Sequence, residues 1–272
     1  MKHEHAIFDR TARLVGDEGM LAISSARVII FGVGGVGSWV AEGLARSGVG
    51  QLTLVDSDHI APSNVNRQCP ATSKTIGEVK VEAMKSRLLE INPKVMVEAI
   101  QDVYNLETRD RFHLEDYDYV IDAIDSLECK MELILHATSL PKRVKFFSSM
   151  GAALKMDPTQ IRVAEFWEVE GCPLARALRQ KMKRARRFPA RKFQVVFSPE
   201  VRQNKGAITT DTIPADRSVN TVHAPAVSEM GQLVDRNARK AQVNGSLVHI
   251  TAIFGFTLAG LVLQDIVAQT AS

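Results

Sequence analysis

Between Gly32 and Lys80 the chain gathers glycines, amides, cations and carboxylates in an order that suits the handling of a nucleotide. Gly32, Gly34 and Gly37 satisfy GxGxxG, with Gly35 among them, directly after the apolar run RVIIF. Glycine at such a turn lets backbone N–H groups approach phosphate at the start of a helix. Asp56 closes the next apolar run, LTLV, where a carboxylate is placed to hold ribose hydroxyls. These two features alone fit a dinucleotide-dependent dehydrogenase best. The residues that follow shift that balance. Asp58, then Asn64, Arg67 and Gln68 in HIAPSNVNRQ, then Lys80, concentrate cations and amides beyond the ribose position. Hydride transfer has no use for such a set, whereas cleavage of a triphosphate does. Arg and Lys neutralise charge on a transferred phosphoryl group and on leaving pyrophosphate, and carboxylates can hold magnesium.

The elements that must position these groups read as repeated strand–helix alternation. Residues 27–31, 52–55, 95–100 and 119–124 are short apolar runs, the last two expected to be buried strands. Residues 38–47 form an expected helix with Trp39, Val40, Leu44 and Ala45 at core-like spacing, and 78–91 an amphipathic helix stopped by Asn92-Pro93. The pattern predicts an α/β fold: a Rossmann-like, mostly parallel sheet with helices on both faces. After residue 149 the rhythm changes. Strands are expected at 161–166 and 192–197 around a basic helix from near Pro173, then a loop-rich stretch over 201–222 and an apolar C-terminal helix. No repeat or low-complexity linker interrupts the chain. One continuous domain over 1–272 is expected, its nucleotide core spanning about 20–150 and its elaborated C-terminal half 151–272.

Composition narrows the class. Of 272 residues, 45% are hydrophobic and 24% charged, ordinary for a soluble globular chain. The start, MKHEHAIFDRTARL, is too polar for the apolar stretch of a secretory signal. Cys69, Cys129 and Cys172 are scattered and make neither a disulfide framework nor a CxxC metal knuckle, so a reducing cytoplasm is expected. The net charge of +3 says little about partners, but residues 176–192 read RALRQKMKRARRFPARK. Such a block either tracks nucleic-acid phosphate or forms a solvated, mobile helix end, and charge alone leaves both open. Residues 247–267 are mostly apolar, yet His249, Gln264 and Asp265 hold the clean run below the roughly 18–20 residues of a membrane span. Gly255 and Gly260 allow close packing there, so a core or subunit-interface helix is expected, with no membrane contact.

The succession Gly-x-Gly-Gly-x-Gly, Asp56-x-Asp58, Ser63-Asn64-x-Asn66-Arg67-Gln68 and Gly77-x-x-Lys80 resembles the core signature of the ThiF/MoeB/ubiquitin-activating superfamily, in order and spacing. The resemblance implies ATP and Mg2+ as cofactors. It implies that Asp56 holds the ribose, that Asn64, Arg67, Gln68 and Lys80 contact the phosphates, and that Asp125 in IDAIDS helps hold the metal. Asp122 is the weaker metal candidate, because strand alternation turns it elsewhere. In this superfamily an N-terminal arginine reaches the partner subunit's nucleotide. Arg13 is placed ahead of Arg10 for that role in FDRTARLVG, although either also suits a surface salt bridge.

Many members adenylate the C-terminal glycine of a carrier protein and carry paired CxxC zinc ligands with a catalytic cysteine. Both zinc pairs are missing here. Cys172, in EGCPLARAL, reads as an inert helix-start thiol or as one activated by a helix N-terminus. The whole-chain pattern is similar to the TcdA (CsdL) branch, the tRNA threonylcarbamoyladenosine dehydratases. The matching stretches are FDRTARLVG, GVGGVGSWVAEGLARSGVG, DSDHIAPSNVNRQ, YVIDAIDS, Gly151 followed by DPTQI, and TAIFGF. That likeness implies a homodimer using ATP to activate the threonyl carboxylate of threonylcarbamoyladenosine beside the tRNA anticodon. The neighbouring carbamoyl group closes a ring and AMP leaves. With the nucleophile already beside the activated carbonyl, effective concentration replaces an enzyme thiol. The 176–192 block would then face the anticodon stem, with Phe188 and Phe193 stacking on bases unless packing claims them. Some relatives carry a cysteine before the C-terminal helix; RNARKAQVNGSLVHITAIFGF has none, which leaves a sulfur-transfer partner open. His223 and Glu229 are further polar candidates. A sulfur-carrier adenylyltransferase and a nucleotide-bound scaffold without turnover are the competing readings.

Overall fold

In the computed structural model, described over residues 7–206 and 244–270, strand β1 (Arg27–Phe31) lies between two parallel neighbours, β2 (Gln51–Val55) and β4 (Tyr119–Asp122). Strand β3 (Met96–Ile100) extends the sheet beyond β2, and β5 (Lys145–Ser149) and then β7 (Gln194–Phe197) extend it beyond β4, all parallel. Strand β6 (Arg162–Glu165) closes that edge antiparallel to β7. The order is β3-β2-β1-β4-β5-β7-β6. The chain builds outward from β1 to β3, then crosses back to start again at β4. Such a reversal opens a crevice at the carboxyl ends of the two central strands, where open α/β sheets place their ligands.

Strand alternation sends side chains to two cores. Val28 and Ile30 join one apolar cluster, while Ile29 and Phe31 join the other. Helices α1 (Asp9–Ser25), α2 (Gly37–Ser47), α3 (Lys80–Ile91) and α6 (Val248–Thr270) supply the first cluster. Helices α4 (Leu127–Ser139) and α5 (Pro173–Ala185) supply the second. The doubly covered parallel sheet expected from the sequence is therefore present. In α6, Ile250, Phe254, Leu258, Val262 and Ile266 recur every fourth residue and all face the first core. Although α6 is long and apolar enough to cross a membrane, that stripe is packed against α1, α2, β5 and β7.

Two expectations need correction, and one open alternative is settled. Residues 95–100 do form a strand, but it is an edge strand and not a buried one: Met96 is 61% exposed, because β3 has no neighbour on its outer side. Of the two α6 glycines, only Gly255 packs closely against another described residue. A Cβ there would sit 2.6 Å from the Trp39 Cβ and 2.7 Å from the Val36 carbonyl oxygen, whereas Gly260 faces open space. Phe193 is core, stacked on Phe166 with ring centroids 5.0 Å apart, and is closed to bases. His223 and Glu229 lie outside the described residues.

An ion cluster around the buried Glu42 ties α2 to α3. Glu42 accepts from Arg87 Nε and from Arg46 Nε, each at 2.8 Å. Burial alone would raise the Glu42 carboxyl, but Arg87 and Arg46 together outweigh it and hold it below its ordinary 4.5. Burial, with the Glu42 charge, pushes the neighbouring Cys69 thiol up to about 12, so that thiol stays protonated. A carboxyl depressed on folding stabilises above its unfolded pKa and loses that contribution as pH falls through its folded value. Glu42→Gln should therefore lower the thermal midpoint at pH 7. The gap from the parent should shrink as pH is taken below 4.5, measured by thermal scanning of both proteins across pH. A gap independent of pH would contradict the assignment.

Candidate active site

Beyond β1 the backbone turns sharply at Gly32, whose φ of +86° is left-handed. A Cβ on Gly32 would lie 2.7 Å from the Ala123 carbonyl oxygen, and one on Gly37 would lie 1.8 Å from the Gly32 oxygen. Two strand ends and a helix start thus meet at contact distances that only glycine tolerates. Gly35 passes the methyl of Thr251 on α6, its Cβ position 3.3 Å away, and the stem of Arg67 at 3.5 Å. Among the described residues, the N–H groups of Gly34, Gly35, Val36 and Gly37 donate to no backbone carbonyl. They are the orphan donors of the α2 N-terminus, a ready anion site. Gly37→Ala should weaken ATP binding at least tenfold, read by calorimetry, because the added methyl forces the loop open. Parent-like affinity would show that phosphate binds elsewhere.

Asp56, at the carboxyl end of β2, is fastened to this loop. Its Oδ2 accepts from the Val33 N–H at 2.7 Å and its Oδ1 from the Asp58 N–H at 2.9 Å. Lys80, at the start of α3 and only 3% exposed, places its Nζ 3.1 and 3.2 Å from the two Asp56 oxygens. The same ammonium stands 3.2 Å from Asp58 Oδ2. Residues that the sequence assigned separately to ribose and phosphate form one charge cluster here.

The turn after β2 carries the amides. Asn64 is buried and its Oδ1 accepts from the Ala61 N–H at 3.0 Å, fixing the turn at Pro62–Asn64. Gln68 is buried as well, yet among the described residues its Oε1 has no hydrogen-bond partner. Its Nε2 lies 3.9 Å from where a Gly34 Cβ would be. A buried acceptor left unmade costs about 1–3 kcal/mol, which a ligand donor would relieve. Arg67 Nη1 donates to the Ser63 carbonyl at 2.7 Å and to Asn66 Oδ1 at 2.8 Å. Burial lowers the pKa of its guanidinium, and the Asp125 charge across the crevice offsets part of that. Arg67 and Asp125 are therefore near enough for their charges to interact.

Asp125 is exposed just beyond β4, and a buried clamp lies beneath it. Lys130, in the first turns of α4, is 2.8 Å from Asp122 Oδ2 and donates to the Ile124 carbonyl at 3.1 Å. Ser148 donates to Asp122 Oδ2 at 2.7 Å, and the Ile124 N–H to Asp122 Oδ1 at 3.1 Å. Asp122, Lys130 and Ser148 are all fully buried. Asp122 is turned inward, as alternation required. Lys130 is the supporting residue that the sequence reading missed, although its signal was present: a lysine in the stripe Leu127, Lys130, Met131, Ile134 of an otherwise apolar helix face.

The remaining candidates stand apart from this crevice. Arg13 is exposed on α1 in a pair with Asp9 at 2.9 Å, and Arg10 is exposed beside it. Cys172 caps α5 and is buried. Among the described residues no group of three His, Cys, Asp or Glu side chains is placed to hold a metal ion.

A glycine turn at the switch point of a parallel sheet, with orphan N–H donors and a cation facing a carboxylate, defines a nucleotide-binding protein of the Rossmann-like class. The ThiF family matches residues 8–269, and the chain belongs to that family. Its sequence is 40% identical over 193 residues to the tRNA threonylcarbamoyladenosine dehydratase of Bacillus subtilis, covering 71% of this chain and 74% of that one. The Escherichia coli enzyme of the same name is 32% identical over 265 residues, 97% of this chain and 94% of that one. The crystal structure of the E. coli tRNA N6-threonylcarbamoyladenosine dehydratase in complex with ATP superposes with a TM-score of 0.77 at 29% identity. That match covers 98% of this chain and 96% of the other.

Proposed function

We propose that this protein adenylates the threonyl carboxylate of threonylcarbamoyladenosine in tRNA with ATP and then closes a ring on the activated carbonyl. The observation that carries the reading is the likeness to the E. coli dehydratase across nearly the whole of both chains. In the first step a carboxylate oxygen attacks the α-phosphorus and pyrophosphate leaves. In the second, the carbamoyl group attacks the acyl carbon, gives up its proton, and expels AMP with one former carboxylate oxygen. The nucleoside thereby loses the atoms of one water.

The crevice supplies what these steps need. The orphan N–H groups of the glycine loop take phosphate oxygens, and Arg67 neutralises charge that develops as pyrophosphate departs. Asp56 and Asp58 hold the ribose side, while Lys80 balances their charge beside the phosphates. Asn64 fixes the turn, and the unpartnered Oε1 of Gln68 takes a donor from the nucleotide. A single carboxylate such as Asp125 fits Mg2+, which is usually held by one or two carboxylates together with substrate phosphates. When bound, the metal draws charge from the phosphates. The nucleophile of the second step belongs to the substrate, so neither Cys172 nor a sulfur-transfer partner is required. The same reading takes the chain as one ThiF-type unit acting in the reducing cytoplasm as a homodimer, with Arg13 reaching the other subunit's nucleotide and the tRNA presented by its anticodon region.

The test is incubation with ATP, magnesium and tRNA bearing threonylcarbamoyladenosine, followed by nucleoside mass spectrometry. The modified nucleoside should lose one water as AMP and pyrophosphate appear. An unchanged nucleoside, together with adenylation of a Gly-Gly carrier tail, would sink the proposal in favour of a sulfur-carrier adenylyltransferase.

A further inference from the structure

The basic segment after Cys172 divides, in the folded chain, into cations that are used and cations that are not. Arg179 donates to the carbonyls of Phe166, Trp167 and Val169. Arg191 donates to those of Leu140, Ala137 and Val144. Arg187 pairs with Glu132, and Lys181 with Glu128. These four are structural. Arg176, Lys183, Arg184 and Arg186 are exposed and have no ion-pair partner among the described residues.

The free cations are organised by the helix. Ala175, Leu178 and Met182 are the buried face of α5, so Arg176, Lys183 and Arg184, at i, i+7 and i+8, share the opposite face. One flank of α5, carrying Leu174 and Lys181 seven residues apart, adjoins the carboxyl edge of the sheet, and Arg184 is the i+3 neighbour of Lys181. The start of α5 lies beside Gly151, just beyond β5, where an added Cβ would stand 3.5 Å from that of Leu174. Farther along, the Lys181–Glu128 pair joins α5 to the first turn of α4, the helix that begins just after Asp125. Beside the end of this stripe two aromatic rings are left in solvent: Trp167 is 38% and Phe188 53% exposed, with centroids 6.2 Å apart.

A row of unpaired cations ending at exposed rings matches a chain of phosphates whose bases are unstacked. Duplex RNA hides its base faces, whereas loops splay them out for stacking on aromatic side chains. We propose that this face of α5 holds a looped, single-stranded RNA segment. Arg176, Lys183, Arg184 and Arg186 contact phosphates, and the Trp167–Phe188 pair stacks on an unpaired base. The inference rests on the dehydratase reading and adds to it the surface that presents the substrate.

Two variants separate its parts: the triple Arg176→Ala/Lys183→Ala/Arg184→Ala, and the double Trp167→Ala/Phe188→Ala. Each is assayed with the parent for binding of an anticodon stem–loop RNA across salt concentrations, with thermal melting and ATP binding as controls. The triple variant should bind at least tenfold more weakly, with a salt dependence shallower by about two units in log–log slope, at roughly 0.7 per lost single-strand contact. The aromatic double variant should also bind several-fold more weakly while keeping the parent's salt slope. Parent-like binding by the triple variant would overturn the proposal, as would equal preference of the parent for a blunt RNA duplex. Loop binding that depends on α5 in a protein that dehydrates no nucleoside would refute the dehydratase reading and leave the RNA surface standing. Dehydration with binding insensitive to both variants would do the reverse.

Discussion

Arg67→Ala will depress turnover by about 10²–10³-fold, the usual consequence of removing one preorganised donor from developing charge. Its thermal midpoint will stay near that of the parent. The two halves of that expectation come from different contacts. Arg67 spends its structural bonds on the exposed Ser63 carbonyl and the Asn66 side chain, groups that water can satisfy when the arginine is gone. The half-buried guanidinium feels the charge of Asp125. Lys80, the nearest alternative, is committed to Asp56 and Asp58. The loss should therefore appear in kcat more than in KM for ATP, since the charge that Arg67 meets grows as pyrophosphate departs. AMP release measured in a single turnover checks it. Turnover within a few-fold of the parent would remove Arg67 from the mechanism.

Lys130→Met should cost about 3–5 kcal/mol of stability, the range for breaking one side of a fully buried ion pair. The methionine fills the lysine's volume, so the cost does not come from a cavity. It comes from Asp122, fully buried and deprived of its ion-pair partner, with Ser148 and the Ile124 N–H as its remaining donors among the described residues. Denaturant unfolding measures the deficit. Activity should also fall in the fraction that remains folded, because the Ile124 carbonyl loses its anchor and Asp125 is the next residue. A variant as stable as the parent would mean that Asp122 and Lys130 are independently satisfied, contrary to their 2.8 Å contact.

The sequence made the scaffold legible because its signals are local. Apolar runs of strand length ending in GVGGVG or Asp56 need no knowledge of neighbours, and β1, β2, α2 and α3 fall where those signals put them. What stayed hidden depends on neighbours. The run at 95–100 looks as buried as the others, yet it ends the sheet, and only strand order reveals that. Gly255 and Gly260 are equivalent on paper, but one faces α2 and the other faces space. The basic block could not be divided into working and idle cations, because the carboxylate that holds Arg187 and the carbonyls that hold Arg191 come from distant parts of the chain. Within the crevice, residue types were readable and pairings were not. Lys80 carried a phosphate-binding signature, and the fold shows its ammonium set between two carboxylates.

The nucleotide loop has its rear wall in α6, where Thr251 stands behind Gly35 and Gly255 seats the start of α2. A ribosome delivers that wall only after every strand of the sheet has been made. Until then α2 has lost its partner along a face lined by Val40 and Leu44, and the glycine turn has nothing to press against. A half-made chain therefore presents sticky apolar surface and no finished site for ATP. Messages truncated before α6 should yield products that chaperones and proteases recognise, and that consume no nucleotide in the meantime.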